Sequence, residues 1–224
     1  MRIVVFGSAG GVGRQVVAAA TTAGHEVVAA ARAVPQFLPV GARGVAVDVR
    51  EAPAVAAAVR GVDAVAWCVG VSARSGPGAG REGMANVLAA VAEHGPRRVV
   101  SVSGAGANLP GDAKGLGPRV VSALTHRLAR DLVVDKEDEH ALLAASGTEW
   151  TQVRPPRLVD TAGTGAWHLS EEAPGLLAPA VPRADVAAAV VHLLTTGAWA
   201  RQAPFLWAER PTRAAHATGT RGRG

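Results

Sequence analysis

The chain has 224 residues, 49% hydrophobic and 18% charged, with a formal net charge of +5, one cysteine and no tyrosine. That length and composition suit one globular domain with a substantial core and exclude a disordered chain. A lone Cys68 excludes an internal disulfide framework and fits a cytoplasmic location. No apolar run reaches membrane-spanning length, and glycines break the first one too early for a secretory leader. Part of the positive charge falls on Arg210, Arg213, Arg221 and Arg223, within a 209–224 tail expected to be disordered. The remaining 1–208 is expected to form the single domain, with no basic stretch interleaved with aromatics. Neither nucleic acid nor a membrane is therefore an expected partner, and the chain is read as a monomer or dimer.

Ile3 to Phe6 reads as a short buried strand. The turn Gly7-Ser8-Ala9-Gly10-Gly11-Val12-Gly13 follows, and then Val12, Val16, Val17 and Ala20 recur at helical spacing. A helix N-terminus carries unpaired N–H groups and partial positive charge, so it attracts phosphate. Glycines make the turn tight and admit a diphosphate to the backbone. All seven residues from Gly7 to Gly13 are candidate dinucleotide contacts. The glycine spacing 7, 10, 13 resembles the atypical short-chain dehydrogenase/reductase group, whose turn reads Gly-Ala-Thr-Gly-x-x-Gly. Arg14 is either a further phosphate partner or solvated.

Glu26 to Ala31 is the second predicted strand, ending at Arg32. In a doubly wound fold this strand end faces the adenosine ribose. An acidic residue there suits the 2′-hydroxyl of NAD, whereas arginine pairs with a 2′-phosphate. Arg32 therefore points to NADP(H) over NAD(H). Gly44 to Val49 is the third predicted strand; the resembled group often places an Asp and a small apolar residue at its end, against the adenine. Asp48 and Val49 stand there. Asp48 also qualifies as a helix N-cap, with Glu51 three residues on, and the two roles are compatible.

A short helix is expected over Ala54–Val59, then a strand within Gly61–Gly70, whose end at Val69 and Gly70 belongs beside the coenzyme ribose. Ser72–Gly80 is a glycine-rich loop and Arg81–His94 a helix stopped by Gly95-Pro96, with Asn86 either a buried tether or solvent-facing. Arg97 opens the next strand, which exits through Ser103. After a turn over Ala107–Pro118, a long helix is expected from about Arg119 to Ala145. Thr148–Val153 is the sixth strand, leaving through Arg154-Pro155-Pro156-Arg157. Ala162–Pro182 reads as irregular, within a substrate-side segment of about 157–182. A last helix runs over Arg183–Leu194, with Asp185 complementing its dipole, and Phe205–Trp207 closes the chain as a strand. The alternation argues for an α/β, doubly wound, mainly parallel sheet, the Rossmann fold, with a small C-terminal substrate-side segment.

The glycine turn, Arg32, Asp48-Val49, the Ser103 exit, Ser146-Gly147…Trp150-Thr151…Arg154-Pro155 and Arg183-Ala184-Asp185-Val186-Ala187 together resemble small NAD(P)-binding, NmrA-like and biliverdin-IXβ/flavin reductases. The resemblance implies a serine beside the nicotinamide (Ser103) and a segment passing over it (Pro155). It also implies a lysine on the ribose, for which Lys136 is the candidate. The mixed-charge run around Lys136 reads equally as a solvated helix face. Carbonyl-reducing members use a Tyr-x-x-x-Lys pair, which a chain without tyrosine cannot form. Flavins, quinones and linear tetrapyrroles spread incoming charge over a conjugated system and take their proton from solvent, so they fit such a site better. Where the flavin-reductase pattern has a histidine after Pro-Pro, this chain has Arg157, a partner for an anionic substrate group or an exposed structural arginine. His140 and His168 are further candidate acids without motif support. No metal-ligand spacing occurs. The expectation is hydride transfer from NADP(H) to a small-molecule conjugated acceptor; the alternative is a non-catalytic NmrA-like redox sensor.

Overall fold

Strand β1 (Arg2–Phe6) is buried on both faces, with Ile3, Val4, Val5 and Phe6 wholly inaccessible. Only a strand covered by helices on both sides has that pattern, and burial of each such side chain contributes roughly 1.5–3 kcal/mol. The computed structural model describes residues 1–70, 76, 78–110, 112, 130–175 and 178–208. After β1 the elements run α1 (Gly11–Thr22), β2 (Glu26–Ala31), β3 (Ala42–Ala46), α2 (Ala52–Val59), β4 (Ala64–Trp67) and α3 (Ala79–His94). Then come β5 (Arg98–Val102), α4 (Arg130–Ala145), β6 (Glu149–Val153), β7 (Leu158–Val159), β8 (Trp167–Ser170), β9 (Val181–Pro182), α5 (Arg183–Thr196) and β10 (Phe205–Ala208).

Six strands pair in parallel in the order β3-β2-β1-β4-β5-β6. The chain reverses its direction of winding between β1 and β4, which is where open α/β sheets bind ligands. Alternation along β1 divides the core. Ile3 and Val5 pack with Val16 and Val17 of α1 and with Val186, Val190 and Leu193 of α5. Val4 and Phe6 pack on the other face with Val55, Trp67, Met84, Val87 and Leu143. The doubly wound parallel sheet expected from the sequence is the observed fold.

Several local expectations are corrected. The third strand lies two to three residues earlier than predicted, because its pairing with Val27–Ala31 ends at Ala46. Asp48 does not cap α2. Its Oδ1 accepts from Arg50 N at 3.0 Å and its carbonyl from Glu51 N, so the carboxylate builds a turn and α2 starts after Glu51 with no side-chain cap. The 162–182 segment is not wholly irregular. β8 pairs antiparallel with β10, and β9 pairs with β7. The closing strand therefore belongs to a small separate sheet; it meets the residue just after β6 through the isolated bridge Arg154–Phe205. Arg154 is buried there, its guanidinium paired with Asp112 at 2.6 and 2.8 Å and lying 3.8 Å from the Phe205 ring centre.

The solvated-face reading of the charged run on α4 is also overturned. Asp135, Lys136 and Glu139 are buried. Asp135 accepts from the backbone N–H of Gly80 and Arg81, so it caps α3, whose own N-cap Gly78 offers no side chain. Asp185 does lie in the first turn of α5, as expected, and has a further role: its carboxylate accepts from Thr164 N, Thr164 Oγ1 and Gly165 N, anchoring the loop before β8. The loop predicted over Ser72–Gly80 ends two residues earlier, since α3 starts at Ala79; most of the rest of it, the predicted first part of the long helix (119–129) and the 209–224 tail lie outside the described residues.

Candidate functional site

The site is built first by the glycine turn. Gly7 has φ +78°, and a Cβ on it would stand 2.6 Å from the Cys68 carbonyl oxygen, so β1 and β4 can approach here only through glycine. A Cβ on Gly13 would overlap the Gly7 carbonyl, so helix and turn pack backbone to backbone. Gly7 and Ser8 donate to Ala30 O, and Gly10 donates to Gly7 O. Gly10 then begins α1 with no side-chain cap, and the first turn of α1 has no acidic residue. The positive end of the helix is left to face whatever enters the cavity.

That cavity measures about 1080 Å³ and opens at the carboxyl ends of β1, β2 and β4. Its floor is Gly7, Ala9, Gly10, Gly11 and Val12. Arg32 leaves β2 at one wall, next to the turn carrying Asp48, Val49 and Arg50. Asn86 donates to Val49 O at 2.9 Å, so it is a tether from α3, and Arg50 pairs with Glu82 at 2.9 Å. The opposite wall is Cys68, Val69 and Gly70 after β4, with Leu158 and Arg183 closing the far side.

Not all candidates reach this wall. Ser8 is buried behind the turn and Gly13 lies beneath it. Lys136 sits behind Val69: its Nζ donates to Val69 O at 2.7 Å and to both Glu139 oxygens at 2.8 and 2.9 Å. Burial raises the Glu139 carboxyl above its ordinary value, against the pull of Lys136. The same burial pushes the Cys68 thiol up to about 12, so it stays protonated at neutral pH. The Ser103 hydroxyl is buried without a hydrogen-bond partner among the described residues, and Ser103 N donates to Val153 O. Pro155 is buried and its carbonyl accepts from Ala105 N, which ties the exits of β5 and β6 together. Arg157 is exposed and outside the cavity wall. Arg14 folds back onto Ala9 O at 2.9 Å. His140 Nδ1 meets Gln152 Oε1 at 3.0 Å, and burial lowers its pKa; His168 stacks on Trp207. Among the described residues no group of three metal-binding side chains occurs.

Sequence reasoning missed several wall residues as site residues, Arg50, Leu158 and Arg183 among them, and Arg183 is the one that carries a charge beside the glycine turn. The available signal was an arginine at the first position of a helix, but only the folding of α5 against α1 brings it to the glycine turn.

An open parallel sheet, a glycine cradle at its winding reversal and a cavity above an uncapped helix N-terminus define a dinucleotide-binding protein of the Rossmann type. The chain belongs to the NAD(P)H-binding family, whose profile matches residues 7–197. An uncharacterized protein of Mycobacterium tuberculosis is 43% identical over 103 residues, covering 46% of this chain and 12% of that protein. The match thus covers about an eighth of the length of these curated relatives. Among solved structures, the anaerobilin reductase ChuY from Escherichia coli O157:H7 superposes with a TM-score of 0.77 at 23% identity, covering 96% of this chain and 100% of that one. A candidate NADH-flavin reductase from Streptococcus pneumoniae gives 0.75 at 21% identity, covering 93% and 100%. At these identities the likeness establishes the shared fold.

Proposed function

We propose that the chain is an NADP(H)-dependent reductase that passes hydride to a conjugated small-molecule acceptor. The observation that carries the cofactor half is Arg32 in the cavity wall at the end of β2, on the adenosine side of the glycine cradle. Its guanidinium suits a 2′-phosphate, while Gly7 to Gly13 suit the diphosphate and Val69 and Gly70 leave room for the second ribose. Asp48 and Val49 border the adenine position. When bound, the coenzyme supplies the hydride. The chain's part is to hold its C4 edge toward an acceptor and to keep water from the cradle.

The acceptor half rests on chemistry. The chain has no tyrosine, and the Cys68 thiol at the cavity is held protonated at about 12, a poor proton donor at neutral pH. A flavin, quinone or tetrapyrrole-like acceptor takes two electrons and one hydrogen as hydride and draws its proton from solvent, leaving NADP⁺. Two structural neighbours named for anaerobilin and flavin reduction support this class. Ser103, Lys136 and Arg157 are retained as proposed contacts at the nicotinamide and acceptor end. Lys136 acts there through Val69, whose carbonyl it holds.

Binding titrations followed by NADPH fluorescence test the cofactor half. Arg32→Ala is expected to weaken NADPH by about tenfold or more, the worth of a hydrogen bond to a charged group, and to leave NADH little changed. Equal loss for both coenzymes refutes the 2′-phosphate role. Turnover across flavins and quinones tests the other half, and no turnover with any of them refutes it.

One observation favours the sensor reading as second. Neither Arg157 nor the Lys136 ammonium lines the cavity, and Lys136 is committed to Glu139. A chain that binds NADP⁺ and NADPH without turnover would present different partners in the two states. Identical partner sets in pull-downs with each coenzyme exclude that role.

A further inference from the structure

Arg183 opens α5 and its side chain lies over Gly11, the first residue of α1. A Cβ on Gly11 would stand 2.7 Å from Arg183 Nε and 3.0 Å from its Cδ, so the absent side chain is the berth for this arginine. Its Nη1 pairs with Asp160 Oδ2 at 2.8 Å; the Asp160 side chain is 81% exposed and that of Arg183 26%. Arg183 therefore faces the cavity beside the N-terminus of α1.

The electrostatics of this arrangement are unfavourable without an anion. A guanidinium is set against the positive end of a helix, the reverse of what the dipole favours. Gly10 caps without a side chain and the first turn of α1 is free of acidic residues. Asp185, in the first turn of α5, is taken up by Thr164 and Gly165. Asp160 is the carboxylate paired with Arg183, and a pair so exposed is weak. Two positive elements thus converge on one part of the cavity, and the carboxylate paired with Arg183 there is an exposed, easily displaced one.

We propose that Arg183 is a diphosphate ligand that exchanges Asp160 for the dinucleotide, reaching the linkage from its place over Gly11 beside the N-terminus of α1. The inference rests on the coenzyme reading above and assigns a different phosphate from Arg32: Arg183 takes the linkage common to NADPH, NADH and ADP-ribose, and Arg32 takes the 2′-phosphate. Because Asp160 follows β7 and Arg183 follows β9, and β7 pairs with β9, the exchange also frees Asp160 on the substrate-side segment when the coenzyme is bound.

Calorimetry on the full chain with NADPH, ADP-ribose and adenosine 2′-phosphate separates the roles. Arg183→Met is expected to weaken NADPH and ADP-ribose by about tenfold or more and to leave adenosine 2′-phosphate unchanged. Arg32→Ala is expected to do the reverse with the two adenosine fragments. Asp160→Asn, which removes the competing carboxylate, is expected to tighten ADP-ribose by about two- to fivefold. Asp160 is exposed, so this variant carries the test even if Arg183→Met does not fold. Unchanged ADP-ribose affinity in Arg183→Met, or weakened ADP-ribose affinity in Asp160→Asn, overturns the inference and leaves coenzyme binding standing. No heat from the unmodified chain with any dinucleotide overturns both.

Discussion

Gly7 and Gly24 provide a matched pair for testing whether the cradle depends on backbone conformation or on close approach. Both have positive φ, +78° and +81°. A Cβ on Gly24 meets nothing within 4 Å, whereas on Gly7 it meets Cys68 O at 2.6 Å, Cys68 C at 2.7 Å and Val69 N at 2.9 Å. Alanine at either position is strained by roughly 1–2 kcal/mol in the left-handed region. At either position it also stiffens the unfolded chain, which offsets about 0.4–1 kcal/mol. These contributions are common to both variants. Gly7→Ala alone must push β4 away from β1, and the obstructing atoms are backbone and cannot rotate aside. Overpacking of that kind costs about 1–3 kcal/mol more. For a domain of this size the difference corresponds to about 2–12 °C in Tm. Thermal unfolding by circular dichroism measures it, and coenzyme titration of the same samples reads the cradle. Gly24→Ala keeps coenzyme affinity and Gly7→Ala loses it. Equal Tm values, or equal affinities, would refute the account of Gly7 as the point where β1 and β4 must touch.

Lys136→Met leaves Glu139 buried without its cation and is expected to cost roughly 3–5 kcal/mol, whereas Lys136→Met combined with Glu139→Leu recovers most of the loss; urea denaturation checks both. Because burial already raises the Glu139 pKa, the loss in the single variant shrinks as the pH is lowered and the carboxyl takes up a proton. His140 has the opposite sign. Burial lowers its pKa, so below about pH 6.5 the unfolded chain binds the proton first and stability falls with falling pH. His140→Gln is expected to flatten that part of the Tm–pH curve, and an unchanged slope contradicts the assignment.

Much of the architecture was legible because local physics agrees with the global fold. A continuous apolar run such as Ile3–Phe6 has one use in an α/β domain, a strand covered on both faces. Gly7, Gly10 and Gly13 announce backbone contact, since a side chain has no room there. The edges were less legible. β3 is exposed over much of its length, so little hydrophobic pattern fixes its register, and its limits moved. β8 and β9 are short strands that form only because partners distant in the chain arrive beside them, so no local period marks them.

The same divide separates the site residues. The place of Arg32 was readable because it depends on one fact, that it directly follows the second strand, and the cavity wall does include it; its pairing with a 2′-phosphate is the proposal that the titrations test. Lys136 was ambiguous, because a mixed-charge run looks alike whether it meets water or, as here, α3 and the end of β4. The burial of Lys136 and Glu139 was decided by the packing of α4 against α3, and that contact joins residues more than fifty positions apart. Sequence alone determined the strand–turn–helix cradle, since it follows from glycine and helix geometry over a dozen residues. The tertiary structure alone decided that Arg183 comes to lie across Gly11. Gly11 and Arg183 are far apart in the chain, and no local pattern encodes a contact that exists only once α5 has packed on α1.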